Sequence, residues 1–350
     1  MRRSIHSTIG NLLFWLLAGA TAAQAAAATT CDRACLHDIT DGLLASMAGH
    51  DPARLPLSKT YLATLNGVPE APSMMSPWEM TTGLGSRFYV IDPVSEQVLF
   101  IATMKEGAGS ALLFGRLEVD GRRQLTQIEL YVNRSRGDGG FMFDADGPAH
   151  LPSVWTERVP AARLPSRSEL LQAGRSIFDA SIPGPRIAAT CEMMENGRLV
   201  AENPKVLKWI GVGGRTLHAN PDGSLPIPCG SPPDRPSDPQ ARSNIADTQQ
   251  GIVVSIATVR GVVEPYLITD PTVSAYVPYA MLKPYVNMLS HQHASGQFTQ
   301  PALQASPAAN TTVEIYRIFD GKLQGMHLLE HMEPAGAISP WVGPRAAKGR

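Results

Sequence analysis

Near the end of the 350-residue chain, a glutamate and a histidine flank an Asp320-Gly321 pair that suits a two-residue hairpin turn. If Phe319 pairs with Lys322, counting outward along the strands places Glu314 opposite His327. Facing side chains on such a ladder hold their Cβ atoms about 4.5–5.5 Å apart, so a carboxylate there can accept a proton from one imidazole nitrogen. That bond would orient the ring and leave its other nitrogen as a general base. Tyr316, two residues from Glu314, adds a hydroxyl on the same face. The opposite face, with Val313, Ile315, Met326 and Leu328, is more plainly core, so the bland alternative is an exposed ion pair.

Other motifs say less. His327-Leu-Leu-Glu330-His331 spells an inverted zinc-peptidase pattern, which needs a helix to bring its three ligating groups together. A strand is expected here instead, and on a strand Glu330 faces away from both histidines. His291-Gln-His293 follows an expected helix over Met281 to Leu289 and reads as an exposed loop. Gly211-Val-Gly213-Gly214 lacks dinucleotide-loop spacing, and neither a P-loop nor a Gly-x-Ser-x-Gly elbow occurs. No metal and no cofactor is expected. Asp92 and Asp247 each head a strand and suit turn chemistry. Tyr61 and Trp78 are candidates to line a binding pocket, although core packing explains them equally.

The elements that would position these residues occur twice. Asp92-Pro-Val-Ser-Glu-Gln-Val-Leu-Phe-Ile-Ala-Thr-Met aligns without a gap on Asp247-Thr-Gln-Gln-Gly-Ile-Val-Val-Ser-Ile-Ala-Thr-Val. Each copy ends in a hairpin, around Asp120-Gly121 and around Asp320-Gly321. Leu36, Ile39, Leu43 and Met47 have helical spacing, and a second helix opens at the capping box Ser166-Arg-Ser-Glu169. Asn66-Gly67 answers Asn196-Gly197. Glu129 and His327 are equivalent by the repeat, each a titratable group in a mainly apolar last strand; Glu129 then faces Gly115, so only the second copy has the dyad. The expected layout is a first copy over 26–134, a linker over 135–165, a second copy over 166–335 with a long insertion at 260–311, and a tail over 336–350.

Residues 1–25 read as a secretory signal peptide: Arg2 and Arg3, a short apolar run from Leu12 to Ala18, then Ala23-Gln24-Ala25. The run is too short to span a membrane, so no membrane insertion is expected after cleavage. Removing Arg2 and Arg3 leaves 28 Lys+Arg against 31 Asp+Glu, which offers no basic field for nucleic acid. Four cysteines in an exported chain suggest disulfides. Cys191 and Cys229 flank a proline-rich excursion, whereas Cys31 and Cys35 can pair only if Cys31 lies before its helix, because Cβ atoms four apart on a helix stand about 6 Å apart.

The order of a helix, then antiparallel strands with the longest hairpin last, resembles the nuclear transport factor 2 superfamily. The chain is similar to a group of secreted tandem proteins of that superfamily with unknown function. The likeness rests on Cys31-Asp-Arg-Ala, His50-Asp51-Pro52, the Trp155 to Pro160 linker, and Cys191 leading to Glu195-Asn196-Gly197. Leu65 departs from it, since a glutamate commonly precedes Asn-Gly there. The resemblance implies an α+β protein of two tandem cone-shaped (cystatin-like) domains, exported to the periplasm or medium. It further implies a pocket for a small organic molecule with cofactor-free lyase, dehydratase or isomerase chemistry, for which the hairpin and the repeat offer His327, Glu314, Tyr316 and Glu129 as candidates. The alternative is a non-catalytic ligand-binding or envelope-associated module, and a homodimer is compatible with either.

Overall fold

The computed structural model of the chain describes residues 30–139, 143–199, 201–202, 225–226, 229, 240–263, 276–278, 294–295 and 305–341. The expected leader, most of the insertion, His291, His293 and the Gly211 to Gly214 segment lie outside the described residues.

The first half contains α1 (Arg33–Ala48), β1 (Leu57–Leu65), β2 (Val68–Pro69), α2 (Ser76–Met80), β3 (Gly83–Asp92), β4 (Gln97–Glu106), β5 (Gly109–Val119) and β6 (Leu125–Asn133). Short helices α3 (Arg136–Gly139) and α4 (Ser153–Thr156) punctuate the connection. The second half contains α5 (Arg167–Ser176), β7 (Arg186–Glu195), β8 (Arg198–Leu199), β9 (Ala201–Glu202), β10 (Leu225–Pro226), β11 (Arg242–Asp247), β12 (Ile252–Val263), β13 (Tyr276–Pro278), β14 (Ser306–Phe319) and β15 (Lys322–Pro334). β9 and β10 pair separately, and β13 adds to β12.

The two main sheets have one topology. The first runs β2-β1-β6-β5-β4-β3 and the second β8-β7-β15-β14-β12-β11, so every strand of one has a counterpart in the other. In each, the strand after the first helix lies parallel to the last strand, and the other neighbours are antiparallel. The chain is thus an α+β protein of two similar sheet domains.

Local chemistry sets the element ends. The Asp32 carboxylate accepts from the Cys35 N–H and caps α1, leaving Cys31 outside the helix. A Cys31–Cys35 disulfide therefore closes, with a Cα separation of 5.3 Å, and Cys191–Cys229 forms as well. The expected capping box at Ser166 and Glu169 opens α5. Both Asn-Gly turns put two residues at positive φ, 51° and 74° at Asn66-Gly67 and 44° and 84° at Asn196-Gly197, a backbone these residue types tolerate. Each asparagine side chain then accepts an N–H of its domain's last strand, from Val132 and from Glu330, both at 2.9 Å.

Period-2 alternation gives each sheet two apolar faces. One face is covered by the domain's own helix: Leu36, Leu43 and Met47 meet Phe100, Ala102 and Leu113 in the first domain. Leu170, Ala173 and Ile177 meet Val253, Ala257 and Tyr316 in the second. The remaining faces pack on each other, with Leu99, Ile101 and Phe114 against Val254, Ile256 and Ile315. The connecting segment seals this layer. Trp155 is buried in it, and Arg317 donates to the carbonyls of Trp155 and Glu157 at 2.7 and 2.6 Å. Gly325 leaves room for the indole, since a Cβ there would stand 3.1 Å from the ring.

Reciprocal bonds fasten the domains. Asp92 accepts from Arg167 at 2.6 Å and from the Ala246 N–H at 3.0 Å. Asp247 accepts from Arg33 and from the Ile91 N–H, the latter at 3.0 Å. Each aspartate thus receives the helix-start arginine and a strand N–H of the other domain. Both also accept the turn N–H bonds that the sequence suggests, from Val94 and Ser95 and from Gln249 and Gln250.

Candidate active site

The register of the last hairpin separates the expected dyad. Phe319 does pair with Lys322, but a one-residue bulge at Gln324 shifts everything beyond it, so Glu314 pairs with Leu328 and His327 with Ile315. His327 and Glu314 consequently point to opposite faces of the sheet. The first domain carries the same bulge at Thr126, which puts Arg116, and not Gly115, opposite Glu129. Both errors have one physical source: a bulge leaves the strand pattern intact while reversing which side chains face each other.

His327 lies between the sheets, about 1% exposed and 5.9 Å from the Trp155 ring centroid. The Gly197 N–H donates to its Nε2 at 3.2 Å, which leaves the ring proton on Nδ1. Burial holds its pKa down at about 3, so the ring is neutral in ordinary buffers.

Glu129 occupies the same layer. Arg242 reaches its two oxygens at 2.7 and 2.8 Å, Arg116 adds a bond at 3.0 Å, and the Tyr131 hydroxyl another at 3.0 Å. Burial alone would raise this carboxyl, but Arg242 and then Arg116 outweigh it and hold it at about 2. Burial also works against the charge on Arg116, yet a guanidinium keeps its proton in proteins, so the charged pair persists. With both oxygens engaged, Glu129 serves as a clasp between the domains.

The helix-covered face of the second sheet is different. Glu314 and Tyr316 stand there on β14, as do Thr312 and Asn310. Glu330 projects from β15 opposite Thr312, and Glu195 from β7 beside Leu328, which Glu314 also faces. Glu195, Glu314 and Glu330 are each no more than 9% exposed. Burial first, then the charges of Glu195 and Glu314, push the Glu330 carboxyl well above its ordinary range, while Asn310 opposes the shift. Glu330 is therefore a buried acid beside carboxylates, the arrangement that separates a proton donor from a proton acceptor.

By register, the same positions in the first domain are Leu65, Ala111, Leu113, Gly115, Leu117 and Val132. At Gly115, which answers Glu314, an added Cβ would lie 2.8 Å from the Leu130 side chain. Trp78 is buried in that apolar core and donates from Nε1 to Ser46 at 2.9 Å, while Tyr61 packs half-buried against the same cluster. The structure thus gives both residues packing roles.

The zinc-peptidase pattern has the strand geometry expected of it: His327 and His331 face the inter-sheet layer and Glu330 the other side. His331 contacts Asn133 at 2.8 Å, and burial lowers its pKa to about 4. Among the described residues no three His, Cys, Asp or Glu side chains come together closely enough to hold a metal ion. Sequence reasoning missed Glu195, Thr312 and the inward direction of Glu330. A signal for the first existed: Glu195 stands where the first copy has Leu65, just before the Asn-Gly turn.

No protein-family model matches this chain, and no curated protein matches it.

Proposed function

We propose that the second domain is a small-molecule site that performs cofactor-free acid–base chemistry of the lyase, dehydratase or isomerase type. The observation that carries this reading is the contrast between the two helix-covered faces: three buried glutamates, a tyrosine and a threonine in one, leucine, valine, alanine and glycine at the matching places in the other. Packing alone favours the apolar set, since burying carboxyl groups is costly. Glu330 would serve as the proton donor, Glu314 as the acceptor, and Tyr316 and Thr312 as hydrogen-bonding groups. The first domain acts as scaffold.

The repeated helix-and-sheet topology supports kinship with the nuclear transport factor 2 superfamily. Two disulfides, with no described helix long and apolar enough to cross a membrane, support export. The test is deuterium wash-in from D2O, with water loss followed in parallel, on a panel of small carbonyl and hydroxyl compounds. Exchange or elimination by the native protein that disappears in Glu314→Gln and Glu330→Gln supports the reading. Binding without turnover would favour the non-catalytic module, and a panel untouched by either protein would refute the enzyme.

A further inference from the structure

The two helix starts that carry the clasp arginines are built differently. In α5 the N-cap Ser166 hydroxyl accepts the Glu169 N–H at 3.3 Å, and the Glu169 carboxylate returns to the Ser166 N–H at 2.7 Å, which fixes Arg167 between them. In α1 the N-cap Asp32 accepts the Cys35 N–H at 2.9 Å, but Cys35 stands where α5 has Glu169 and carries no carboxylate to reach back. Its sulfur is joined instead to Cys31, one residue before the cap. A covalent bond thus takes the place of the missing half of the box.

Arg33 lies between the two cysteines. It donates to the Asp247 carboxylate of the second domain and, at 3.2 Å, to the Ile91 carbonyl of its own. Asp247 also accepts the Ile91 N–H at 3.0 Å, so the hold of the second domain on α1 and on β3 converges on one carboxylate. Arg167 makes the corresponding bonds to Asp92 and to the Ala246 carbonyl.

The two disulfides differ in reach. Cys191 and Cys229 are 3% and 2% exposed, whereas Cys35 is only half-buried beside the fully buried Cys31. Exchange requires access to a sulfur, so a thiol reductant meets Cys35 first. Opening a closure of four positions frees the unfolded chain little, and the protein stays folded when this bond opens.

We infer that Cys31–Cys35 is a redox latch: closed, it holds Arg33 on Asp247, and opened by a dithiol it loosens that half of the clasp while Arg167 stays on Asp92. In the opening step a thiolate of the dithiol attacks the Cys35 Sγ, the disulfide breaks, and Cys31 leaves as a thiolate. The second thiol of the dithiol then displaces Cys35 and closes the dithiol's own disulfide. Two electrons pass to the protein, and the two protons of the dithiol end on Cys31 and Cys35.

Dithiothreitol added to the folded full chain, followed by alkylation and peptide mapping over time, tests the opening. Cys31–Cys35 should open about tenfold faster than Cys191–Cys229, or more. Amide hydrogen exchange by NMR tests the consequence, in the selectively reduced protein and in Cys31→Ser/Cys35→Ser, with thermal melts verifying that each is folded. Protection of the Ile91 amide should fall by about tenfold, while that of Ala246, which donates to Asp92, should change by less than about twofold. In Arg33→Leu, reduction should no longer alter Ile91. The latch is overturned if both disulfides open together, if Ile91 keeps its protection in the reduced and the serine proteins, if Ile91 and Ala246 loosen alike, or if Ile91 still responds to reduction in Arg33→Leu.

Discussion

Replacing Glu129 by glutamine keeps the shape of the clasp between the domains and removes its charge. Burial acts against the carboxylate, but Arg242 and Arg116 bring its folded pKa from 4.5 down to about 2. At 1.36 kcal/mol per unit, that difference stabilises the folded chain by about 3 kcal/mol. The sign follows from the depression: the contribution is complete above the unfolded value and is lost as pH falls through the folded one. The Glu129→Gln protein should therefore be about 3 kcal/mol less stable at pH 7, a fall of roughly 6–12 °C in Tm for domains of this size. The gap should shrink to about 1.4 kcal/mol at pH 3 and nearly vanish at pH 2. Urea unfolding of both proteins across this pH range, followed by circular dichroism, measures it. A variant melting within a degree or two of the native protein at pH 7, or a gap that ignores pH, would refute the assignment of Glu129 as a charged clasp.

Glu330→Gln should act in the opposite direction. Its folded pKa is raised, first by burial and then by Glu195 and Glu314, so its stabilising contribution exists below the unfolded value and is lost as pH rises; the glutamine variant should have a higher urea midpoint than the native protein at pH 7 and no advantage near pH 4. His327, neutral with a folded pKa near 3 against 6.5, withdraws stability as pH falls from about 6.5. His327→Gln should flatten the stability–pH curve between pH 6 and 4 by nearly one proton, about 1.4 kcal/mol per pH unit, in urea titrations. Reducing Cys191–Cys229, which closes a 38-residue separation, should cost about 4 kcal/mol on the chain-entropy relation, whereas Cys31–Cys35 closes only four and should cost much less. Melts of Cys191→Ala/Cys229→Ala and Cys31→Ala/Cys35→Ala proteins compare them directly.

The repeat was legible because its signals are local. Asp-Gly and Asn-Gly turns, a capping box and a β-branched run each fix a short piece of backbone, and their order fixes the domain. Asp92 and Asp247 show where such reading stops. Their turn bonds involve residues two or three positions away, but the bonds from Arg167 and Arg33 span 75 and 214 positions. The acidic face was hidden for a related reason. Glu195 and Glu314 are more than a hundred residues apart, and only the parallel pairing of β7 with β15 brings them to one row.

Bulges at Thr126 and Gln324 explain why the dyad was misplaced, and they also bear on how the copies diverged. Because both hairpins slip at the same place, the bulge belongs to the shared backbone, and substitutions in either copy meet one fixed assignment of faces. On the inter-sheet face both copies remain mostly apolar, since each closes the other's core. Among the described residues the two helix-covered faces form separate clusters. There the first copy has Leu65, Leu113 and Val132, which pack under α1, while the second holds Glu195, Thr312 and Glu330 at a cost in burial. A domain fastened to a stable neighbour through Asp92, Asp247 and Glu129 can tolerate that cost, because unfolding it also exposes the shared layer. An apolar core in one copy and an acidic face in the other follow from a single packing arrangement.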